Sequence, residues 1–423
     1  MVGHSRSTHD GAVMTTHRRV GGRAPLSSLG AAVLALLLLP SLALGAEWTG
    51  LERVTSVGGS RLDSLHQAAS AKNVLHLVHA RLGPRRADDK VVYQRSGNDG
   101  RSWSKERPIF KANARYRKVV PNLALEARDR LVAVAFRVSG PSGHTLFVRV
   151  SRNGGATFGQ RMALFATKKR DGIGVPAVAV GNDVIAVAWT NRANGEIKVR
   201  TSRDDGRSFK GPRTLGATKV SIDCRDTLTD GLVGIAANDK SLHVAWSDAG
   251  RRQCIADDIR VRTSLDRGAS WSPARTITER DTFGWPELDA RGKTVVATVQ
   301  TPGGSIIVSR SEKNGRNWRE QTFKPPSGYS FSAADVALLP NKKAQVAYVK
   351  ERLKNGKLIS TRLVSRRSPD DGVTWNKPKP VTQEAKLLRM APNLVNNESR
   401  LTVVVQSGQL DGKPRHIYAS RLR

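Results

Sequence analysis

The feature that most constrains this chain is an eight-residue frame, Ser-x-Asp/Asn-x-Gly-x-Ser/Thr-Trp/Phe. It occurs at 96–103, 151–158, 202–209, 264–271 and 368–375. A sixth copy, 311–318, keeps Ser311, Gly315 and Trp318 but has Lys313 and Asn317 at the other fixed positions. Self-similarity at a steady period marks stacked units, each too small to bury its apolar face alone. Each fixed residue has a local reason. The side chain of Asn98, Asn153, Asp204, Asp266 or Asp370 caps a tight turn, the glycine supplies a positive φ, and the aromatic packs into a sheet. These positions are structural rather than catalytic.

Around each turn, period-2 patterning predicts four short strands, for instance 175–181, 184–189, 196–201 and 209–215. The second-strand signal recurs seven times, beginning near Val74, Leu131, Val184, Leu242, Thr294, Ala344 and Leu401, against six turns. The last unit therefore lacks its outer strand. Glu47-Trp48-Thr49-Gly50-Leu51 is similar to segments that follow the turn elsewhere, such as Ser270-Trp271-Ser272-Pro273, so the N-terminal strand is expected to complete it. The turn glycines are spaced by 55, 51, 62, 47 and 57 residues, which accommodates seven units better than six. The expected fold is all-β: a seven-bladed β-propeller of four-stranded antiparallel blades closed by the N-terminal strand, with six blades as the alternative. Ring closure leaves only short, protected sheet edges.

Lys and Arg number 70 against 36 acids, a net charge of +34, and the bias is spread along the chain. That favours an anionic glycan or other polyanion as partner. No aromatic-interleaved basic patch or nucleic-acid motif is present. Arg18, Arg19 and Arg23 precede an apolar run over 31–43, broken by Pro40 and Ser41 and followed by Gly45 and Ala46. Residues 1–46 read as a secretory signal and 47–423 as the propeller domain. Removing the signal leaves 66 basic and 35 acidic residues, or +31. No other stretch approaches the roughly 20 apolar residues of a membrane span, so the expectation is a secreted, periplasmic or cell-surface monomer. Cys224 sits in the loop before the first strand of the fourth blade and Cys254 in the loop after its second strand, so both are expected on one face, and export would oxidise them to a disulfide. Two cysteines and nine histidines without ligand spacing suggest neither metal nor cofactor. His76 and His79 read as packing residues, and Asn397-Glu398-Ser399 is an N-glycosylation sequon.

The turn frame resembles the Asp-box, or BNR repeat, of the sialidase superfamily, across the whole of 47–423. That resemblance implies an arginine triad gripping a sialic acid carboxylate, an Asp acid/base and a Tyr nucleophile assisted by a Glu. A phenol suits this substrate because a carboxylate nucleophile would repel the substrate's own carboxylate. Arg61, in Arg61-Leu62-Asp63, is similar to the family's first triad position. Asp88 or Asp89 follows as acid/base, and Tyr329, in Gly328-Tyr329-Ser330, as nucleophile. Asp230 or Glu287 is the candidate base, and Arg81, Arg251 and Arg389 are further candidates for binding the anion. One departure is specific: Pro302-Gly303-Gly304 is followed by Ser305 where the family has an arginine. That loss favours noncatalytic recognition of an anionic glycan over an exo-α-sialidase-type retaining glycosidase.

Overall fold

The computed structural model describes residues 48–57, 66–83, 85–168, 172–218, 233–249, 256–397, 400–409 and 415–423. The proposed signal over 1–46, Arg61, Asp230, Arg251, Cys224 and Cys254 lie outside the described residues.

Seven four-stranded antiparallel sheets form the blades. Blades 1 to 6 span 66–111, 118–167, 177–217, 233–278, 283–323 and 329–380 in unbroken meanders. Blade 7 takes three strands from 387–421 and its outer strand, Glu52–Val57, from the other end of the chain. Trp48 bridges to Leu422, and the Thr49 N–H donates to the Arg421 carbonyl over 2.8 Å. The expected closure is therefore present. Second strands begin at Val74, Leu131, Val184, Ser241, Thr294, Lys343 and Arg400, within a residue of their sequence signals. In blade 3 the outer strand is Arg213–Ala217 and starts later than expected. Phe209 to Pro212 still belong to the turn's exit, where only Lys210 pairs back to Thr201 and Pro212 has no N–H to offer.

The second strands read as unbroken apolar runs because both faces of each blade are covered by its neighbours. Leu131 to Phe136 and Val184 to Trp189 are all buried. One apolar cluster joins blades 1 and 2 through Val78, Val91, Leu123 and Phe136, and another joins blades 2 and 3 through Leu146, Val148, Ile185 and Trp189. Among the described residues no helix is long and apolar enough to cross a membrane.

The repeated turns are built as their sequence implies. Ser202 Oγ donates to Asp204 Oδ1 at 2.7 Å and accepts the Gly206 N–H at 2.8 Å, while Asp204 Oδ1 takes the Ser208 N–H at 3.0 Å. Asn98, Asn153, Asp266 and Asp370 repeat this network. The bond from Ser202 leads the set of donors that hold the Asp204 carboxyl below its usual range. In the degenerate sixth copy Ser311 still accepts the Lys313 N–H.

Arginines join these turns around the ring. Arg107 donates to the Gly155 carbonyl, Arg152 to Asp205, Arg203 to Asp266 and Arg310 to Asp371, each reaching into the following blade over 2.5 to 2.8 Å. Part of the basic bias is thus spent on backbone carbonyls, for which the planar, permanently charged guanidinium is suited. His76 and His79 are buried, as expected of packing residues. The asparagine of the sequon is withdrawn from solvent. Asn397 is 1% exposed and its Nδ2 donates to Asp99 Oδ1 at 2.6 Å, so its amide is sequestered from glycosylation.

Candidate functional site

Each turn motif lies beside its own blade's first hairpin, as where the Gly154 N–H meets the Arg130 carbonyl. The remaining loops, between second and third strands and between blades, emerge on the opposite face. Among the described candidates, Arg81, Asp88, Asp89 and Tyr329 fall toward that opposite face.

Asp89 is fully buried, with Oδ1 accepting the Gly83 N–H at 3.1 Å and Oδ2 the Val119 N–H at 3.2 Å. It clamps blade 1's loop to the first strand of blade 2. Asp88 is partly exposed on a single turn of 3₁₀ helix, Arg86–Asp88, and pairs with Arg85 at 3.2 Å. Arg81 donates to Glu106 at 2.6 Å, and Glu106 also takes the Thr55 hydroxyl at 2.8 Å and lies 3.4 Å from His79 Nε2. Burial pushes Glu106 upward, but its bonds to His79, Arg81 and Thr55 outweigh this and hold it at about 2. Thr55 belongs to the closing strand, so this group ties blade 7 to blade 1. Arg389 sits on the inner strand of blade 7, Leu387–Asn397, opposite Ser407.

Tyr329 begins the inner strand of blade 6, Tyr329–Leu339, against a hairpin of two twelve-residue strands, Lys343–Lys354 and Lys357–Ser368. Directly opposed residues in an antiparallel pair share a face. Tyr329 opposes Arg352, which opposes Ser360; Phe331 opposes Lys350, which opposes Arg362. One face therefore carries a phenol, an ammonium and two guanidinium groups in two adjacent rows. Lys350 Nζ stands 3.9 Å from the Tyr329 ring centroid, a cation–π contact. Beneath it, Phe331 and Tyr348 pack at 4.7 Å and anchor the rows to the blade.

Glu384 enters this face from the end of the blade. It takes the Ser360 hydroxyl at 2.6 Å and lies 3.7 Å from Arg352 Nη1. The Ser360 bond leads the causes that hold its carboxyl below the usual range, and Arg352, Arg362 and Lys350 add to it. Arg362 Nε is buried with no partner among the described residues. At the edge of the face, the Gly304 carbonyl accepts the Phe331 N–H at 2.7 Å, with Gly304 at φ 71° and no room for a Cβ against Ser330. Ser305 closes its own loop by donating its N–H to Thr301 Oγ1 at 3.0 Å.

The structure thus brings Tyr329 together with Lys350, Arg352, Arg362 and Glu384, which sequence reasoning did not single out. A signal was available: Lys350, Arg352 and Lys354 alternate at period 2 in a strand whose buried half is apolar. Among the described residues, no three His, Cys, Asp or Glu side chains form a metal-binding group.

Seven antiparallel four-stranded blades closed by the N-terminal strand define a β-propeller. No family model and no curated protein matches the chain. Solved structures share the fold. A protein of unknown function from Dyadobacter fermentans is 14% identical with a TM-score of 0.52, covering 88% of this chain and 100% of that one. Trypanosoma rangeli sialidase in complex with sialic acid is 12% identical with a TM-score of 0.48, covering 88% of this chain and 59% of that one. Penicillium chrysogenum α-L-arabinanase is 10% identical with a TM-score of 0.48, covering 71% and 93%. At 14% identity the likeness to the Dyadobacter fermentans protein is one of fold alone.

Proposed function

We propose that this protein is an exported β-propeller that binds an anionic glycan on the blade-6 face around Tyr329 and does not cleave it. The carrying observation is the convergence of Lys350, Arg352 and Arg362 beside Tyr329, with the buried Arg362 Nε left unpartnered among the described residues. Guanidinium forks pair bidentately with carboxylate or sulfate, and an aromatic ring offers a platform for a sugar's apolar side. Hydrolysis would further need a carboxylic acid within reach of the leaving oxygen. Asp89 is committed to two backbone amides, Asp88 pairs with Arg85, and Glu384, the carboxylate on this face, is bonded to Ser360 and held below its usual range, which disfavours it as a proton donor.

The test is a fluorogenic sialoside assay on the wild type and Tyr329→Phe, beside glycan binding at rising salt. The expected result is no turnover, with binding that weakens steeply as salt screens the face over roughly 8 Å at physiological ionic strength. Arg352→Ala should weaken binding about tenfold, the loss expected for one charge-assisted contact. Turnover abolished by Tyr329→Phe would instead establish the glycosidase, and salt-indifferent affinity would refute the charge-based account. In the same reading residues 1–46 direct export and Cys224 pairs with Cys254. Thiol titration of the unreduced, denatured protein should then find no free thiol.

A further inference from the structure

A cavity of about 610 Å³ runs along the ring axis, lined by the inner strands of all seven blades. Although the chain carries +34, Glu126, Glu287, Asp289, Asp335 and Asn393 all line this cavity. Three of them share a level. Glu287, Asp335 and Asn393 oppose Thr298, Ala347 and Val404, each the fifth position from its hairpin turn, on the consecutive blades 5, 6 and 7. In each of those strands the ladder register shifts, and the first residue paired after the shift is this one. Irregularities of this kind re-aim a side chain. Asp335 is further fixed by accepting the Leu394 N–H at 2.7 Å and the Val336 N–H at 2.8 Å, which holds its carboxylate against the strand of blade 7 that carries Asn393.

Asn393 supplies the independent observation. Its side chain is 8% exposed, and its Oδ1 is buried with no donor among the described residues. Carboxylate and amide oxygens are the donors chosen by hard divalent cations that retain part of their water shell. The distributed surface charge does not forbid such a guest, because it is screened over roughly 8 Å while the donors act at contact.

We propose that Glu287, Asp335 and Asn393 form an axial site for a partly hydrated divalent cation of calcium's class, bridging blades 5, 6 and 7. This site is separate from the glycan-binding face and stands whether or not that reading holds. The test uses the intact protein, stripped with EDTA and titrated with calcium chloride at pH 7.5 by calorimetry, with thermal unfolding recorded alongside. A saturable isotherm near one ion per chain and a calcium-dependent rise in Tm are expected. Glu287→Gln and Asn393→Ala, which spare the Asp335 clamp, should each weaken calcium binding tenfold or more and shrink that rise. Absence of saturable uptake by the wild type would overturn the proposal. So would uptake that survives unchanged in both variants.

Discussion

Trp48→Ala probes how far the ring depends on its seam. Trp48 is 3% exposed and packs among Ala337, Val349, Leu363, Leu394 and Val403 of blades 6 and 7. Its Nε1 donates to Ser365 Oγ at 3.1 Å, and Ser365 is itself 1% exposed. Truncating a buried Trp costs about 3–5 kcal/mol, and the orphaned hydroxyl adds about 1, for a total of about 4–6 kcal/mol. With about 2.1 cal/mol/K of unfolding entropy per residue, a ring of roughly 375 residues has an entropy near 0.8 kcal/mol/K. Tm should therefore fall by about 5–8 °C, with the urea midpoint falling in step at constant m-value. Trp48→Phe, which keeps most of the packing and loses the hydrogen bond, should cost about 1–2 kcal/mol. A loss below about 1 kcal/mol for Trp48→Ala would show that the N-terminal strand is peripheral and that the remaining blades hold the ring without it.

Two adjacent glycines separate backbone strain from space. A Cβ on Gly154, at φ 63°, would meet nothing within 4 Å, whereas a Cβ on Gly155, at φ 76°, would lie 1.8 Å from Tyr93 Oη. Alanine at 154 should cost about 1–2 kcal/mol and alanine at 155 clearly more; equal losses in denaturant titrations would remove the steric account. Burial pushes Glu126 up to about 7, with the Ala127 N–H partly opposing and Asp289 adding repulsion. Between the unfolded carboxyl's value near 4.3 and 7 the native state keeps the proton that the unfolded state releases, so this group's contribution to stability falls as pH rises. Glu126→Gln should come closest to the wild type below about pH 4 and gain on it progressively up to about pH 8. A pH-independent difference in unfolding free energy would contradict that sign.

The blade count and the closure were legible because the sequence repeats at the scale of one blade and because Trp48 looks like a residue that follows a turn. The turn network was legible from Ser202, Asp204 and Gly206 alone, since those contacts span four residues. The candidate site was only partly so. Tyr329 stands out by its local motif, but Arg352 and Arg362 join it through strand pairing, which no local pattern reveals. Asp89 illustrates the opposite limit: an acidic loop residue looks solvated in sequence, and only the approach of Val119 from the next blade shows its carboxylate to be a buried clamp. Asn397 misleads for the same reason, its partner Asp99 lying at the far end of the chain.

One set of contacts across the seams runs forward around the ring. Arg107, Arg152, Arg203 and Arg310 each reach forward to the following turn, and Asp89, Asp289 and Asp335 each hold a backbone amide of the following blade. Trp48 and Arg423, near the two described ends, flank the bridge from Trp48 to Leu422. The described chain is thus close to a circle with a nick, and the position of the nick carries little of the binding between neighbours. New ends opened in the exposed linker at 113–117, with the present ends joined by a short peptide, would leave the forward contacts between strands intact. A circularly permuted chain of this kind would begin with blade 2 and end with blade 1, and another module could be fused at that seam.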